Sequence, residues 1–247
     1  MKIVSDFREF IEGRTFSTIL ADPPWQFENR TGKMAPEHKR LARYPTLSLE
    51  EIKSIPVYEA CAETSHLYLW VPNALLAEGL EVMKAWGFTY KTNIIWYKVR
   101  KDGGPDRRGV GFYFRNVTEL ILFGTRGKNA RTLGPGRTQE NIIVKSKREH
   151  SRKPDEQYNI IESCSPGPFL EMFARGSRSN WYCWGNQADN YYPDWDTYKN
   201  HSQFGLPEPS GKERREYKQP KVRQLELLEK KTNLDASKAR KYSGKFK

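Results

Sequence analysis

The amino-acid sequence predicts an α/β domain, a largely parallel sheet flanked by helices, with a basic C-terminal extension. Three observations carry that expectation. Short β-branched and aromatic runs alternate with helical patterns. Glycine and proline punctuate the joins between them. Positive charge gathers in the last fifth of the chain. The chain has 247 residues, 37% hydrophobic and 29% charged, enough apolar content to build a packed core and exclude a wholly disordered chain.

The elements follow in order. Thr18–Ala21 is a short apolar run ending at Asp22-Pro23-Pro24-Trp25, and two successive prolines neither continue a strand ladder nor enter a helix interior. Residues 26–46 show little periodicity and contain Gly32, Pro36 and Pro45. A loop this long inside a compact domain is usually functional. Ser48-Leu49-Glu50-Glu51 offers a helix start, with a serine cap and early acids. Leu67–Val71 reads as a buried strand, and Leu75–Trp86 as a helix with Leu75, Leu76, Leu80 and Met83 on one stripe, closed by Gly87.

Thr92–Lys98, Val117–Phe123 and Asn141–Val144 read as further strands, separated by glycine-containing basic loops over 101–111 and 124–136. Asp155–Ser163 has a helical pattern after Pro154, which suits a first turn. Ser165-Pro166-Gly167-Pro168 is a turn, and Phe169–Phe173 and Asn180–Trp184 are strands. The expected boundary falls near residue 200, giving a domain over 1–200 and a basic tail over 201–247. In that tail Pro207–Gly211 resembles a linker, and Lys221–Lys231 suits either a short basic helix or disorder.

Charge and composition narrow the function classes. The formal net charge is +12, and the sequence pI near 9.5 points towards a nucleic-acid partner. Residues 201–247 hold 13 Lys/Arg against 6 Asp/Glu, so they carry +7 of that charge. Three further clusters lie upstream: Lys98, Arg100, Lys101, Arg107 and Arg108; Arg126, Lys128, Arg131 and Arg137; and Lys145, Lys147, Arg148, Arg152 and Lys153. Three such loops and a basic tail suit a polyanion. The longest apolar stretches, such as His66–Pro72, fall far short of the roughly 20 residues of a membrane span, and Met1–Phe7 contains no apolar signal region. An intracellular protein, cytoplasmic or nucleoid-associated, is expected. Cys61, Cys164 and Cys183 form no C-x-x-C pair, so reduced thiols are expected. His38, His66, His150 and His201 show no metal-ligand spacing.

Asp22-Pro23-Pro24-Trp25 at the carboxyl end of a strand sits where open α/β sheets bind ligands. A nucleobase amine needs its lone pair made available before it can attack an electrophile. A carboxylate accepting one N–H and a main-chain carbonyl accepting the other would do this, with Trp25 offering a face for the base. The plainer reading of these four residues is a strand-ending turn with a core tryptophan.

The ordered motifs resemble the MT-A70 family of adenine-N6 methyltransferases. They are Asp22-Pro23-Pro24-Trp25, Tyr44-Pro45-Thr46-Leu47-Ser48, Leu69-Trp70-Val71, Ile94-Ile95-Trp96-Tyr97-Lys98, Arg152-Lys153-Pro154-Asp155-Glu156-Gln157-Tyr158, Ser165-Pro166-Gly167, Glu171-Met172-Phe173-Ala174-Arg175 and Asn180-Trp181 through Gly185-Asn186-Gln187. The resemblance implies a Rossmann-like methyltransferase sheet flanked by helices, with S-adenosyl-L-methionine as cofactor. It implies catalytic roles for Asp22, Pro23, Pro24 and Trp25. It places Asp6, Phe7, Asp22, Lys153, Glu171, Met172, Phe173, Arg175, Asn186 and Gln187 at the cofactor, with Lys153 near its carboxylate and Glu171 along the ribose wall. Tyr44 and Glu119 fall on the substrate side.

The expected activity is that of an adenine-specific DNA methyltransferase gripping its substrate through Lys101, Arg107, Arg108, Arg126, Lys128 and Arg131. RNA methylation and a silent nucleic-acid-binding subunit are the rivals, and a homodimer or heterodimer is compatible with either. Methyl transfer from a sulfonium is a direct displacement, so no metal is required.

Overall fold

The computed structural model describes residues 2–26, 46–106, 113–147, 152–185 and 188. Tyr44, Arg107, Arg108, Asn186 and Gln187, most of the expected loop over 26–46, and the basic tail over 201–247 lie outside the described residues. The elements are α1 (Lys2–Ile11), β1 (Phe16–Ala21), α2 (Leu49–Ser54), β2 (Cys61–Val71), α3 (Leu76–Ala85), β3 (Thr89–Lys98), β4 (Thr118–Arg126), β5 (Ile142–Lys145), α4 (Glu156–Cys164), β6 (Phe169–Met172) and β7 (Trp181–Trp184). The helix α1 has no counterpart among the expected elements, and β2, β3 and β4 each run longer than the apolar runs that signalled them, β4 by two residues and the others by at least three.

The seven strands form one sheet in the order β5-β3-β4-β2-β1-β6-β7. β1 pairs parallel with β2 and β6, β6 with β7, and β3 with β5, while β4 pairs antiparallel with both β2 and β3. Six strands therefore share one direction and β4 opposes them. The sheet grows from β1 through β2 on one side and through β6 on the other, which opens a crevice at the carboxyl ends of β1 and β6.

Both faces are covered. Ile19, Ala21, Leu67, Leu69, Val71, Leu170 and Met172 pack with Phe7 and Ile11 of α1, Ile52 of α2, and Val82 and Met83 of α3. On the opposite face Leu20, Tyr68, Trp70, Ile94 and Ile121 pack with Tyr158, Ile160, Ile161 and Cys164 of α4. Residues 65–71 of β2 are buried throughout, which is why that strand reads as a continuous apolar run. Each of the six described tryptophans donates its indole N–H: Trp25 to Trp70 O, Trp70 to Gln157 Oε1, Trp86 to Ile52 O, Trp96 to Lys145 O, Trp181 to Glu162 Oε1 and Trp184 to Asp6 Oδ2. The large rings are thus buried without stranding a donor.

Local chemistry sets the joins. Ser48 and Glu51 complete a reciprocal capping box at the start of α2. Gly87 takes φ +84° after α3, a left-handed turn that favours glycine. The expected basic loop over 124–136 begins three residues inside β4, so its first residues are strand.

Candidate active site

Asp22 leaves the sheet at the carboxyl end of β1, its N–H directed at Met172 O across the crevice, 3.4 Å away. The turn after it is tightly self-bonded. Trp25 N–H donates to Pro23 O at 2.8 Å, Leu47 N–H to Pro24 O at 2.9 Å, and Gln26 N–H to Leu47 O at 3.2 Å. These bonds tie the turn to the start of α2 and fix the direction of the Asp22 side chain.

Trp25 is only 6% exposed, and its indole N–H is held by Trp70 O at 2.9 Å. It therefore offers no face to a base, which corrects the expectation that it stacks on the substrate. It locks the turn instead, the plainer of the two sequence readings.

The Asp22 carboxylate meets Lys153 through both oxygens, at 3.0 and 2.9 Å. Lys153 Nζ also lies 3.5 Å from Glu119 Oε2 and 5.0 Å from the centre of the Trp70 ring. Glu119 in turn accepts from Lys98, which is 4% exposed. Lys98, Glu119, Lys153 and Asp22 thus form a row of alternating charge across the carboxyl ends of β3 and β1 and the amino end of the reversed β4. Lys98, read from sequence as one of a cluster of phosphate-facing cations, is an interior residue.

Burial opposes charge all along this row, and the neighbours decide the outcome. Burial lowers the Lys153 ammonium, but Asp22 and Glu119 outweigh it, and its pKa is raised. Burial raises Glu119, but Lys153 and Lys98 hold its carboxyl below the ordinary value. Lys98 stays lowered by burial in spite of Glu119. At Asp22 burial prevails over Lys153 and the carboxyl is raised.

A small cavity open to solvent lies beside the row, between the α4 side of the sheet and the start of α4. Leu20, Asp22, Trp70, Lys153, Tyr158, Glu171, Phe173 and Arg175 line it. Glu171 pairs with Leu20 across the sheet, and Tyr158 O–H donates to Glu171 Oε1 at 2.9 Å. Burial pushes the Glu171 carboxyl up to about 7. Arg178 stacks on Tyr158, its guanidinium carbon 3.8 Å from the ring centre.

Phe173 leaves β6 with φ +61°. Its ring packs against Trp184 with centroids 5.3 Å apart. Met172 is fully buried on the other face, so its side chain does not reach the cavity where the cofactor is expected. Asp6 and Phe7 act from behind. Phe7 is fully buried with its ring 5.0 Å from Trp184, and Asp6 accepts from the Trp184 indole at 2.8 Å.

The basic residues expected at the substrate separate into two sets. Lys101 is exposed on the turn after β3, at the same edge as Asp22. Arg126 ends β4, paired across from Ser65, and Lys128 O accepts from Thr64 Oγ1. Arg131 follows close behind, two residues before Leu133, whose N–H bonds Cys164 O at the end of α4. These three lie at the opposite edge of the sheet from Asp22, because β4 runs backwards. The site residues that the expectations leave out are Tyr158, Trp70 and Lys98. All three stand inside the quoted motifs, but nothing in a linear pattern says which way a strand or helix residue points.

A mainly parallel seven-stranded sheet flanked by helices, with Asp22 at the carboxyl end of β1 facing a cavity lined by Lys153 and Glu171, has the architecture of a Rossmann-like methyltransferase fold. The MT-A70 family profile matches residues 16–187, and the chain belongs to that family. The family's methyl donor is S-adenosyl-L-methionine. The chain is 32% identical over 190 residues to a putative N(6)-adenosine-methyltransferase MT-A70-like protein of Medicago truncatula, covering 74% of this chain and 28% of that protein. It is 32% identical over 183 residues to the human N(6)-adenosine-methyltransferase catalytic subunit METTL3, covering 72% and 29%. It is 28% identical over 188 residues to the Type II methyltransferase M.MunI of Mycoplasma sp, covering 70% and 77%. The chain thus spans under a third of the two N(6)-adenosine-methyltransferases and about three quarters of M.MunI.

Proposed function

We propose that this chain transfers a methyl group from S-adenosyl-L-methionine to N6 of an adenine in DNA. The observation that carries the reading is Asp22 at the mouth of the cavity, oriented by a self-bonded turn and by the Lys153 ammonium. The lining residues fit the cofactor chemically. A buried cation suits a carboxylate, a carboxyl with a pKa near 7 suits ribose hydroxyls, and Phe173 with the aromatic wall behind it suits an apolar ring.

When bound, the cofactor supplies an electrophilic methyl on a sulfonium. Asp22 accepts one N–H of the target amine and aims its lone pair into the cavity. Lys153 fixes the carboxylate and opposes the burial that raises its pKa, so Asp22 is placed to orient the amine without having to remove a proton before attack. The transfer that the cofactor would supply exchanges the C–S bond for the C–N bond with the thioether as leaving group, and the surplus proton of the methylated amine would pass to solvent at the open cavity. A base within a duplex hides its amine, so the substrate adenine is flipped out or unpaired.

The match along most of a Type II methyltransferase supports DNA as the substrate. The names of the relatives that are 32% identical over the aligned segment specify adenosine, the ribonucleoside, which favours RNA as a second reading. Labelled methyl transfer to matched single- and double-stranded DNA and RNA, followed by nucleoside analysis, tests both. Product in DNA, abolished by Asp22→Ala with cofactor binding retained, is the expected result. Product in RNA alone overturns the substrate, and an active Asp22→Ala variant overturns the role of the carboxylate.

A further inference from the structure

We propose that Tyr113 and Phe114 form a stacking platform for unpaired nucleobases that flank the target adenine. This rests on the nucleic-acid reading above and adds to it the form of strand the protein takes. Tyr113 is 94% and Phe114 84% exposed. No other large apolar side chain among the described residues exceeds 50%. A domain that buries the ring of every described tryptophan and satisfies each indole nonetheless leaves two adjacent rings in water. Such rings cost solubility unless they meet a partner.

Position and charge point to the partner. The segment between β3 and β4 starts and ends at the edge that carries Asp22, and its ends are joined where Lys98 N–H donates to Val117 O at 2.8 Å. Glu119, two residues beyond Val117, touches Lys153, which holds Asp22. Six residues separate Phe114 and Tyr113 from that row at most, a reach of roughly 20 Å if fully extended. Lys98 is interior and paired with Glu119, and residues 99–117 contain Arg100, Lys101, Arg107, Arg108 and Arg115 against Asp102 and Asp106, a surplus of three positive charges. Aromatic rings among cations match a polyanion whose bases expose their faces. Paired bases in a duplex do not expose them, whereas single-stranded or splayed nucleotides do. A protein partner would meet the same rings without using the surplus charge.

The experiment uses the full chain, its Tyr113→Ala/Phe114→Ala double variant and the conservative Tyr113→Phe/Phe114→Tyr variant. The probe is a short single-stranded oligonucleotide with one adenine and 2-aminopurine at a neighbouring position. The expected result is quenching of 2-aminopurine fluorescence on binding to the native and conservative proteins, lost in the double alanine variant. Oligonucleotide affinity falls roughly tenfold or more with the rings removed, while cofactor binding measured by calorimetry is unchanged. In the transfer assay KM for the oligonucleotide rises more than kcat falls. Unchanged quenching and affinity in the double alanine variant overturn the proposal. So does a native dimer in sedimentation that the same substitutions convert to monomer, since that assigns the rings to a second copy of the chain. Native protein that quenches the probe but transfers no methyl sinks the methyltransferase reading and leaves the platform standing.

Discussion

At the scale of single residues, the site is governed by how burial and neighbouring charge compete. Glu171 has its carboxyl pushed up to about 7 by burial. A carboxyl whose folded pKa lies above its unfolded value of 4.5 costs stability when ionised. The cost is complete above about pH 7, is relieved as pH falls, and vanishes below pH 4.5, where both states are protonated. Thermal stability followed across that window should therefore include a rise on acidification that Glu171→Gln removes; identical profiles for the two proteins would contradict it. Glu119 sits between the buried Lys98 ammonium and the part-buried Lys153 ammonium, and removing one partner of such a pair strands the other. Glu119→Ala is expected to destabilise by about 3–5 kcal/mol in chemical denaturation. A cost within about 0.5 kcal/mol, as at ordinary surface sites, would show that the row is not structural. The sequence made Asp22, Lys153 and Glu171 visible because their motifs are local. It misassigned Lys98 and Trp25 because burial is a property of three dimensions: a lysine ending a strand looks like any solvated cation, and a tryptophan after two prolines looks equally fit for a turn or a base.

At the scale of elements, direction matters as much as type. Most strands and helices were legible as apolar runs between glycine and proline punctuation, and their largely parallel arrangement followed from the alternation. The reversal of β4 was not legible, since an apolar run reads the same in either direction. That one reversal moves Arg126, Lys128 and Arg131 to the far edge of the sheet and leaves Lys101 at the near one. The helix α1 was missed because Lys2–Ile11 is short and half polar, its apolar side meaningful only once Phe7 and Ile11 meet the sheet. At the end of β7 the geometry is unforgiving. A Cβ on Gly185 would lie 2.5 Å from both the N and O of Ala174, where Ala174 N–H also bonds Trp184 O at 2.9 Å. Gly185→Ala is expected to push β7 away from the Phe173 turn and to weaken cofactor binding at least tenfold by calorimetry. Native affinity in that variant would show that the close approach is dispensable.

At the scale of the whole molecule, charge is distributed unevenly, and much of what lies near the site is already neutralised within the fold. Lys145 pairs with Glu156, Lys147 with Asp106 and Arg152 with Asp155. Long-range attraction for a polyanion then falls largely to residues 201–247, with their surplus of seven positive charges. Deleting 207–247 is expected to weaken nucleic-acid binding and flatten its dependence on salt without abolishing turnover of short oligonucleotides. An unchanged slope would assign phosphate binding elsewhere. The backward strand has one more consequence. Because β3 arrives at the active edge and β4 departs from it, the segment joining them closes on itself without crossing the sheet. Doubling the length of such a loop costs only about 0.6 kcal/mol of closure entropy. The chain can therefore lengthen, shorten or rewrite this segment over evolutionary time while the charged row stays in register, and on the proposed nucleic-acid reading new target preferences open without a new fold.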